Sequence, residues 1–502
     1  MKDFLLNMLL VITIAGAITS CNGDNPEGQS PDYSFLFAEN PVMVGASGGT
    51  VSTMIISDIG YTPESLASWI TDVTAETTET ISFKVAANTE ESSRDGKIAF
   101  HITGTDDVKE LTVRQAASAG GLKTGKESME FEVTGGEEEI TVSSPANWEI
   151  SGCSDWLAAS KKNSSALVIS ADVNYSGKTR SGEVVISTST EEVTVEVTQK
   201  NDNSLFAGAT TPMGRRFVYN TGDLVNIVTT DKSYSLTEGV DVLEIKYTSK
   251  TTGTILPYYA YIFEVELDGN VTIAATSRND DDSEIKATSE EVTGLQTVRE
   301  QLAALQTSRG KKVYGGVNGD FFLGSSDISA ESDNNLLQGI MYKRGVCLKD
   351  SFHDKNCTVF AIMKDGTARI MTQSAYSNVK GDIMEAIGGR QEVLTSGVVT
   401  TVKNNKNDPR TAIGVSADRN KVIILIIDGR KADHSNGAEY PVLGNILKAM
   451  GAYNGINLDG GGSSTFAINK DVEFELRNQP RSKENGPVVE REIVNGLAII
   501  SK

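Results

Sequence analysis

Apolar and polar residues alternate with a period of two along the chain up to residue 200, and the pattern occurs twice. In each copy a pair of glycines, at 48–49 and at 135–136, precedes a segment in which every second residue is apolar. Such alternation predicts strands that bury one face, and short strands separated by frequent turn residues predict a β-sandwich. We therefore expect two β-sandwich domains, over residues 33–117 and 127–200.

Single residues that recur about 85 positions later also mark the repeat, because self-similarity at a fixed spacing indicates a duplicated unit. The matching pairs are Trp69 and Trp156, Asn88 and Asn174, Arg94 and Arg180, and Gln115 and Gln199. These copies resemble BACON-type domains of carbohydrate-active surface proteins, and the resemblance implies two all-β immunoglobulin-like sandwiches. Both tryptophans have apolar neighbours, which favours packing in a core over stacking on a sugar. We therefore expect these domains to act as spacers.

The pattern changes near residue 205, where helical periodicity begins to alternate with short apolar runs. Apolar residues at helical spacing predict a helix between Glu290 and Gly310 and another that ends before Gly451. The continuous apolar run Val422–Ile427 predicts a strand that is buried on both faces. Residues 205–502 are therefore expected to form an α/β, or mixed α+β, domain.

Three aspartates each follow a predicted strand in this C-terminal domain. Asp320 follows the strand at 312–317, Asp428 follows the apolar run at 422–427, and Asp459 follows a short strand at 455–458. If strand–helix–strand units place these strands side by side in parallel, the three carboxylates lie at one carboxyl edge, where open α/β sheets bind ligands. The alternative is that each aspartate belongs to an independent turn.

The segment after Asp459 combines glycines with hydroxyl side chains in the order Gly460-Gly461-Gly462-Ser463-Ser464. Glycines allow the backbone to turn its N–H groups toward an anion, and hydroxyl groups add further donors. Such a segment can hold a phosphate next to a catalytic carboxylate. A tight polar turn is the alternative interpretation.

These motifs, taken in order along the chain, resemble those of the phosphodiester glycosidase family. The resembling segments are Asn318-Gly319-Asp320-Phe321-Phe322, Pro409-Arg410-Thr411-Ala412-Ile413-Gly414, Asp428-Gly429-Arg430 with Ser435 and Gly437, Asn457 to Thr465, and Arg491 with Val494 and Asn495. The resemblance implies hydrolysis of a sugar-1-phosphodiester on a surface or extracellular glycan or polymer, with release of the sugar and a phosphomonoester. The segment Gly388-Gly389-Arg390 departs from the family pattern, so one pocket wall is expected to differ in shape.

The resemblance also implies which residues form the site. Asp320, Asp428 and Asp459 are the candidate catalytic carboxylates. The candidates for binding the substrate and its phosphate are Asn318, Arg410, Thr411, Arg430, Ser435, Gly460, Gly461, Gly462, Ser463 and Ser464. The role of each aspartate stays open, because retaining and inverting glycosidases differ in the separation of their carboxylates. The alternatives are that Arg410 is a structural ion-pair partner, that Asp428 caps a turn, and that Arg430 and Ser435 only organise a loop.

The chemistry of this bond suits such a set of residues. A phosphodiester leaves as a weakly basic phosphomonoester and needs little proton donation. The planar guanidinium of Arg410 can bind two phosphate oxygens at once. A carboxylate near the anomeric carbon can stabilise the oxocarbenium-like transition state.

Composition and the N-terminal segment bound the location of the protein. Acidic residues outnumber basic ones, 67 to 46, and the formal net charge of −21 argues against binding nucleic acid or adsorbing to anionic lipid. Residues 1–21 resemble a bacterial lipoprotein signal peptide, with a short apolar core after Lys2 and small residues before Cys21. We expect a lipid on Cys21 and a tether over residues 22–32, which would anchor the protein to the bacterial outer membrane, at the cell surface or its periplasmic face. An ordinary signal peptide is the alternative.

The remaining expectations concern stability, ions and partners. Cys347 and Cys357 are candidates for a disulfide across a hairpin. We expect no cofactor and a monomer. The acidic run 280–282 is read as a solvated hairpin tip, with a structural calcium ion as the alternative. Two functions other than hydrolysis stay open, a non-catalytic glycan-binding surface lipoprotein and a structural adhesin.

Overall fold

The computed structural model describes residues 33–502 apart from 76–78, 89, 91, 118–120, 145, 190, 250–255, 286–290, 293, 324–334, 405 and 472. The expected signal peptide, its lipidation residue Cys21 and the tether over 22–32 lie outside the described residues. Within the described ranges, no helix is both long enough and apolar enough to cross a bilayer.

The first repeat folds into two packed sheets. Its strands β1–β8 are Phe35–Phe37, Val42–Val44, Gly49–Ser57, Tyr61–Ser65, Ile70–Ala75, Thr80–Val85, Arg94–Ile102 and Val108–Gln115. One sheet has the order β1-β3-β6-β5 and the other the order β2-β8-β7-β4. Alternate residues of both sheets, including Ile55, Phe83, Phe100 and Leu111, form the core between them. The period-two pattern therefore predicted the buried face of these strands.

The second repeat has the same arrangement. Its strands β9–β16 are Lys123–Thr124, Ser128–Phe131, Gly136–Ser143, Glu149–Cys153, Leu157–Asn163, Ala166–Ala171, Arg180–Ser187 and Glu192–Gln199. The sheets have the orders β10-β16-β15-β12 and β13-β14-β11-β9. Phe131, Ile140, Leu167 and Val195 lie in the core between the two sheets.

The residues that mark the repeat form the same cluster in both copies. The guanidinium of Arg94 lies 4.4 Å from the ring centroid of Trp69, and that of Arg180 lies 4.4 Å from the ring centroid of Trp156. Each arginine Nε also donates to the repeat's last glutamine, at 2.8 Å in the first copy and 2.9 Å in the second. Both tryptophans are half-buried and pack against their cores. The prediction that they pack inward is confirmed.

The C-terminal region contains several sheets and four α-helices within its described residues. The strands β17–β37 are Val225–Thr237, Val240–Ser249, Pro257–Glu266, Val271–Ser277, Glu291–Val292, Val313–Asn318, Phe322–Leu323, Asn335–Leu337, Met341–Lys343, Val346–Lys349, Thr358–Met363, Ala368–Thr372, Ile383–Gly389, Glu392–Thr395, Val398–Val399, Arg410–Val415, Lys421–Ile427, Asn454–Asn457, Phe466–Lys470, Glu473–Leu476 and Asn495–Ser501. The helices α1–α4 are Pro212–Thr221, Val298–Arg309, Gln373–Val379 and Tyr440–Ala449. Short 3₁₀ helices occur at Asn203–Phe206, Gly222–Leu224, Arg278–Asp280, Asp282–Glu284, Lys380–Asp382 and Gly461–Ser463.

Two of these sheets pack face to face, with helices on both outer faces. The larger sheet has the order β17-β18-β19-β33-β32-β34-β30-β31, and the second has the order β20-β37-β22-β35-β36. Helices α1 and α4 cover the outer face of the larger sheet, and α2 covers the outer face of the second. In β33, Ile424 faces the core between the sheets while Leu425 faces the helices. This explains the continuous apolar run at 422–427, and the prediction of a strand buried on both faces is confirmed. Two further sheets, β26-β25-β29-β27-β28 and β21-β24-β23, complete the region.

The predicted parallel arrangement is wrong. The strands β33 and β34 are not neighbours, because β32 lies between them and pairs antiparallel with both. The residues after β22 belong to the second sheet, so the site draws on two sheets rather than one. An apolar run shows that a strand is buried, but it does not show which strand pairs with it.

The boundary predicted for α2 is also wrong. The helix begins at Val298, not near Glu290, because Thr297 and Glu300 form a capping box at its N-terminus. Residues Glu291–Val292 form a short strand instead. The helix ends at Gly310, as the sequence predicted, and this glycine has the left-handed conformation.

The predicted disulfide is not formed. Cys347 and Cys357 are both free thiols, the first exposed and the second buried. The Sγ atom of Cys357 lies 3.7 Å from the backbone oxygen of Gln338, so it packs in the interior of the C-terminal region.

The second sandwich is docked on the C-terminal region through Tyr175. The ring of Tyr175 packs against Phe206 and Tyr219, with centroid distances of 6.2 Å and 6.1 Å. Its hydroxyl donates to Asn220 Oδ1 at 3.1 Å, and its backbone oxygen accepts from Arg215 at 3.2 Å. The second sandwich and the C-terminal region therefore share a packed interface.

Candidate active site

The residues of the candidate site meet at one end of the two packed sheets. Arg410 is the first residue of β32, while Asp428 and Asp459 follow β33 and β34. Because β32 runs antiparallel to both neighbours, its start lies at the same edge as their ends. The end of β22 joins this edge, since Asn318 Nδ2 donates to the Asp459 backbone oxygen at 2.6 Å. The structure therefore places these residues at one edge, as the sequence predicted, although neighbouring strands of the sheet are antiparallel.

Asp320 is a buried carboxylate whose pKa is influenced by the charge of Asp459. Asp320 is 2% exposed, and it accepts hydrogen bonds from the backbone N–H groups of Phe321 at 2.7 Å and Gly339 at 2.6 Å. Burial raises the pKa of Asp320 to about 7; these hydrogen bonds and Lys349 oppose the rise, and the charge of Asp459 adds to it.

Asp459 is the more accessible of the two, being partly exposed. Burial raises its pKa as well, against hydrogen bonds from Ser463 and Gly460 and the charges of Arg491 and Arg410. Its Oδ1 atom accepts from the Gly460 N–H at 2.8 Å. The carboxylate of Asp459 is therefore held in place by the segment that follows it and lies within the field of two arginines.

Arginine side chains lie close to the three consecutive glycines, and a Cβ at each position would meet a neighbouring atom. A Cβ on Gly460 would lie 2.8 Å from the Pro409 backbone oxygen and 3.8 Å from Cδ of Arg410. A Cβ on Gly461 would lie 2.9 Å from the Arg430 guanidinium, and one on Gly462 would lie 2.9 Å from that of Arg491. Gly461 also has a φ of 64°, which favours glycine. The glycine segment 460–462 thus lets three arginines approach one short stretch of backbone.

Two of these three cations are not neutralised by a carboxylate. Arg430 pairs with Asp408 at 3.0 Å. Within the described part of the chain, neither Arg410 nor Arg491 takes part in an ion pair. Arg410 donates to the backbone oxygens of Ala438 and Lys406 at 3.1 Å each and lies 5.3 Å from the ring centroid of Tyr440. The alternative of Arg410 as an ion-pair partner is therefore not supported.

Four backbone N–H groups in and just after the glycine segment already have partners within the chain. The N–H of Gly460 bonds the Asp459 side chain, and that of Gly461 bonds the Pro409 oxygen at 2.8 Å. The N–H groups of Ser463 and Ser464 close 3₁₀ turns at 3.3 Å each. These amides are already satisfied, so the arginine side chains are the better candidates for binding an anion.

Several predicted binding residues form a buried network beneath this segment. Asn318, Thr411 and Ser464 are fully buried. The Thr411 hydroxyl donates to Asn318 Oδ1 at 2.8 Å and lies 3.3 Å from the Ser464 hydroxyl. Ser463 is also buried, and its hydroxyl bonds the carboxylate of Asp459. This arrangement fits a supporting role for these residues rather than contact with a ligand.

Asp428 and Arg430 hold a neighbouring loop against the site. Asp428 is 1% exposed, and its carboxylate accepts from Asn478 Nδ2 at 2.9 Å, from the Gln479 N–H at 2.9 Å and from His434 Nε2 at 2.9 Å. Arg430 donates to the backbone oxygens of Arg481 and Ser482. The turn at 428–430 therefore holds the segment 478–482 at both of its ends. These contacts indicate a structural role for Asp428, whereas the sequence predicted a direct catalytic role.

Ser435 has a similar structural role. It is fully buried, its hydroxyl donates to the Asp428 backbone oxygen at 2.6 Å and it accepts from the Tyr259 N–H at 3.0 Å. The alternative in which Arg430 and Ser435 organise a loop is the one that these contacts favour.

Sequence reasoning missed Arg491 as a member of the site. Arg491 is exposed, and its guanidinium donates to Ser463 Oγ at 3.3 Å and Ser482 Oγ at 3.4 Å. It lies in an irregular segment without periodicity, and the motif that contains it pointed only to the last strand. The signal that could have identified it is a basic residue within a family motif, in a chain where acidic residues outnumber basic ones.

The acidic run 280–282 is solvated only in part, since Asp281 is exposed and Asp280 is buried. Asp280 is 7% exposed and pairs with Arg309 at 3.0 Å and with Lys343 at 2.7 Å. Lys343, which is fully buried, also pairs with Asp282 at 2.7 Å. Protein cations thus occupy two of the three carboxylates that were considered as calcium ligands, those of Asp280 and Asp282. Among the residues that the structure describes, no cluster of three or more His, Cys, Asp or Glu side chains could hold a metal ion.

Stability is expected to fall as pH rises because of Asp320. An unfolded aspartate ionises near pH 4 and the folded one near pH 7, so between these values the folded state binds more protons. The free energy of unfolding should therefore decrease by up to about 4 kcal/mol across this window and then level off. Urea unfolding at pH 5 and pH 8 measures this difference in the free energy of unfolding. Asp320→Asn removes the titrating carboxyl group and should make the difference smaller. If the free energy of unfolding changed equally with pH in both proteins, Asp320 would not be the group that causes the change.

Comparison with known proteins supports both sequence resemblances. Residues 311–500 match the family model described as phosphodiester glycosidase. Residues 61–116 and 146–200 match the BACON model, which describes an N-terminal binding domain. The two resemblances inferred from the sequence are thereby confirmed. No curated protein matches the chain significantly.

Solved structures show more distant likenesses. The zebrafish N-acetylglucosamine-1-phosphodiester alpha-N-acetylglucosaminidase catalytic domain, auto-inhibited by its pro-peptide, is 19% identical with a TM-score of 0.40, over 55% of this chain and 89% of that chain. A hypothetical protein from Synechocystis is 10% identical with a TM-score of 0.36, over 92% of this chain and 100% of that chain.

Proposed function

We propose that the C-terminal domain, which contains the segment matched by the phosphodiester glycosidase model, hydrolyses the bond between a sugar's anomeric carbon and a phosphodiester. The observation that carries this proposal is the packing of three arginines against the glycine segment 460–462, beside the carboxylate of Asp459. The substrate presents an anionic phosphate next to a carbon that becomes positive in the transition state. This edge offers cations and a carboxylate at the same place.

Arg410 and Arg491 would bind the phosphate. Both lie beside the glycine segment, and neither pairs with a carboxylate within the described residues. In a chain with a net charge of −21, such unpaired guanidinium groups attract an anion locally against a repulsive overall field. Guanidinium groups bind phosphate oxygens in a planar, bidentate geometry, which also orients the sugar on the other side of the bond.

Asp459 would act at the anomeric carbon, because it is the more accessible carboxylate. In the overall reaction a water oxygen becomes bonded to this carbon and one water proton passes to Asp459 or to solvent. The bond to the phosphate oxygen breaks, and the phosphomonoester leaves with the bonding electrons. The leaving group needs little protonation. Asp320, with a pKa of about 7, holds a proton near neutral pH, which avoids two adjacent negative charges. The stereochemistry of the released sugar distinguishes attack by Asp459 from attack by water that Asp459 deprotonates.

A panel of sugar-1-phosphodiesters tests this proposal. Incubation with the full chain should release free sugar and phosphomonoester in equal amounts. Arg410→Ala and Arg491→Ala should each lower kcat/KM by about tenfold or more, since each removes a charged contact to the phosphate. Arg114→Ala, which removes an exposed ion pair in the first sandwich, is the matched control. Unchanged kinetics in both site variants would refute the phosphate assignment.

The setting of this activity is also part of the proposal. The resemblance of residues 1–21 to a lipoprotein signal peptide supports a lipid on Cys21 and attachment to the outer membrane. We propose that the protein acts there as a monomer on a surface glycan or polymer. Mass spectrometry of protein purified from bacterial membranes should find an acylated Cys21. An unmodified N-terminal segment would contradict this location.

A further inference from the structure

Two chain segments, 406–410 and 481–486, are held together beside the glycine segment. Arg430 joins them, because its Nε donates to Asp408 Oδ1 at 3.0 Å and its Nη1 donates to the Ser482 backbone oxygen at 2.8 Å. The first segment also accepts a hydrogen bond from the glycine segment, and a Cβ added to the last of the three glycines would lie 2.5 Å from Ser482 Oγ. Both segments therefore lie at the edge that carries the candidate active site.

The same segments contact the two arginines proposed to bind the phosphate. Arg410 donates to the Lys406 backbone oxygen at 3.1 Å, and Arg491 donates to Ser482 Oγ at 3.4 Å. Lys406 and Lys483 lie one on each segment, and both side chains are exposed. Two flexible cations therefore lie close along the chain to the groups that bind the phosphate.

We call the two segments, together with Arg430 and Arg491, the basic rim. It carries four more positive than negative side chains, since its charged residues are Lys406, Arg410, Arg430, Arg481, Lys483 and Arg491 against Asp408 and Glu484. Asp408 is shared by two of these cations, Lys406 at 3.1 Å and Arg430 at 3.0 Å. Including the carboxylate of Asp459 still leaves an excess of three positive charges. In a chain with a net charge of −21, this rim attracts anions locally.

The positive charge exceeds what one phosphodiester requires. A phosphodiester carries a single negative charge, and Arg410 and Arg491 already provide two guanidinium groups for it. The lysines and Arg481 remain for further anionic groups of the same molecule. The buried Nε of Arg481 has no hydrogen-bond partner among the residues that the structure describes.

The composition of the rim distinguishes between two kinds of polyanion. Proteins that bind single-stranded nucleic acid combine positive charge with aromatic side chains, on which the bases stack. Neither segment of the rim contains an aromatic residue. The rim therefore suits a chain of sugars joined by phosphodiester bonds, which has repeated charges and no bases.

We propose that the basic rim binds additional phosphates of a substrate in which several sugars are joined by phosphodiester bonds. This inference rests on the proposed hydrolysis, and it adds that the substrate continues beyond the bond that is cut. Lys406 and Lys483 bind the next phosphates along the chain. A lysine ammonium on its flexible stem can follow phosphates whose spacing varies, whereas a guanidinium requires a fixed planar geometry.

Titration calorimetry of the full chain with linear tripolyphosphate and with orthophosphate tests the rim without requiring hydrolysis. Tripolyphosphate should bind at least about tenfold more tightly at about 0.05 M salt, and this advantage should shrink at about 0.3 M salt, because exposed charges are screened. Joint substitution of Lys406→Ala and Lys483→Ala should weaken tripolyphosphate binding by about tenfold and orthophosphate binding by less than about threefold.

Joint substitution of Lys311→Ala and Lys312→Ala is the matched control. It removes two exposed lysines, and so the same net charge, just before β22, whose other end reaches the site at Asn318. Both affinities should stay close to those of the unmodified chain. An equal loss of tripolyphosphate binding in the two double variants would overturn the proposal, and so would binding that the rim variant leaves unchanged. Tetrathymidylate that binds more tightly than tripolyphosphate would show a preference for nucleic acid and would also overturn it.

Kinetics distinguish this inference from the proposed hydrolysis. For a sugar-1-phosphodiester that the full chain cleaves, a trimer of the same unit should have a KM at least about tenfold lower than the single diester. The rim variant should raise KM for the trimer more than for the single diester. Cleavage of a single diester without any advantage for the trimer would contradict the rim alone. Absence of cleavage, with calorimetry as expected, would contradict the hydrolysis alone.

Discussion

Replacing Asp459 by asparagine is expected to reduce kcat for hydrolysis of a sugar-1-phosphodiester by a hundredfold or more. Asparagine keeps the Oδ1 atom that accepts from the Gly460 N–H, so the turn should be preserved. What is lost is the negative charge that the proposed mechanism places beside the anomeric carbon. The charges of Arg491 and Arg410 act on this carboxylate, and a neutral amide does not interact with them in the same way. Steady-state kinetics at saturating substrate measure the effect on kcat directly.

Asp433→Asn is the matched control for this prediction. Asp433 lies in the loop after β33, and its side chain is 75% exposed. The same chemical change at that position should leave kcat within about twofold, because exposed ion pairs contribute little. A folded Asp459→Asn protein with the turnover of the unmodified chain would remove Asp459 from the mechanism.

Gly388→Ala is expected to lower both stability and activity. A Cβ at this position would lie 2.3 Å from Oδ2 of Asp320 and 2.6 Å from the Gly339 Cα atom. The second contact is with backbone, so a side-chain rotation cannot relieve it. We expect a loss of about 1–3 kcal/mol in the free energy of unfolding. Displacing Asp320 should also reduce kcat/KM on the order of a hundredfold.

Gly381→Ala provides the comparison. A Cβ on Gly381 would meet no atom within 4 Å, and its backbone needs no positive φ. That substitution should leave urea unfolding and kcat/KM close to those of the unmodified chain. If Gly388→Ala behaved in the same way, the carboxylate of Asp320 would not need the space that the glycine leaves.

Gly388 lies in the segment 388–390, where the sequence departs from the expected family pattern. Glycine at 388 leaves room for a buried carboxylate against the β29 backbone. Sequence reasoning saw the departure as a difference in a pocket wall, but it could not connect it to Asp320. The two positions are far apart in the chain, and only the pairing of strands brings them together.

Local patterns predicted individual elements well. Alternation predicted the sandwich strands, and the apolar run predicted β33, because both patterns report which faces are buried. They did not predict the antiparallel topology, since β32 separates β33 from β34 through pairing that no local pattern records. The predicted start of α2 is too early because Val292 and Leu295 continue the helical spacing toward the N-terminus. The capping box at Thr297 sets the actual start of the helix.

The same division applies to the site. Asp459, the glycines and Arg410 could be found because they form compact motifs with recognisable chemistry. The supporting roles of Asn318, Thr411 and Ser464 could not, since a hydroxyl or amide in a motif reads the same whether it faces solvent or another side chain. Their full burial is a property of tertiary packing.

The docking of Tyr175 makes the two sandwich copies non-interchangeable. The repeat aligns Asn174 with Asn88, so the residue that follows is tyrosine in the second copy and threonine in the first. The shared Trp–Arg–Gln cluster preserves the framework of each copy, while Tyr175, together with Val133 and Val173, joins the second copy to the core of the C-terminal region. After duplication, one copy has thus become part of the body that carries the site, and a shuffled chain with the copies in reverse order would lose that joint.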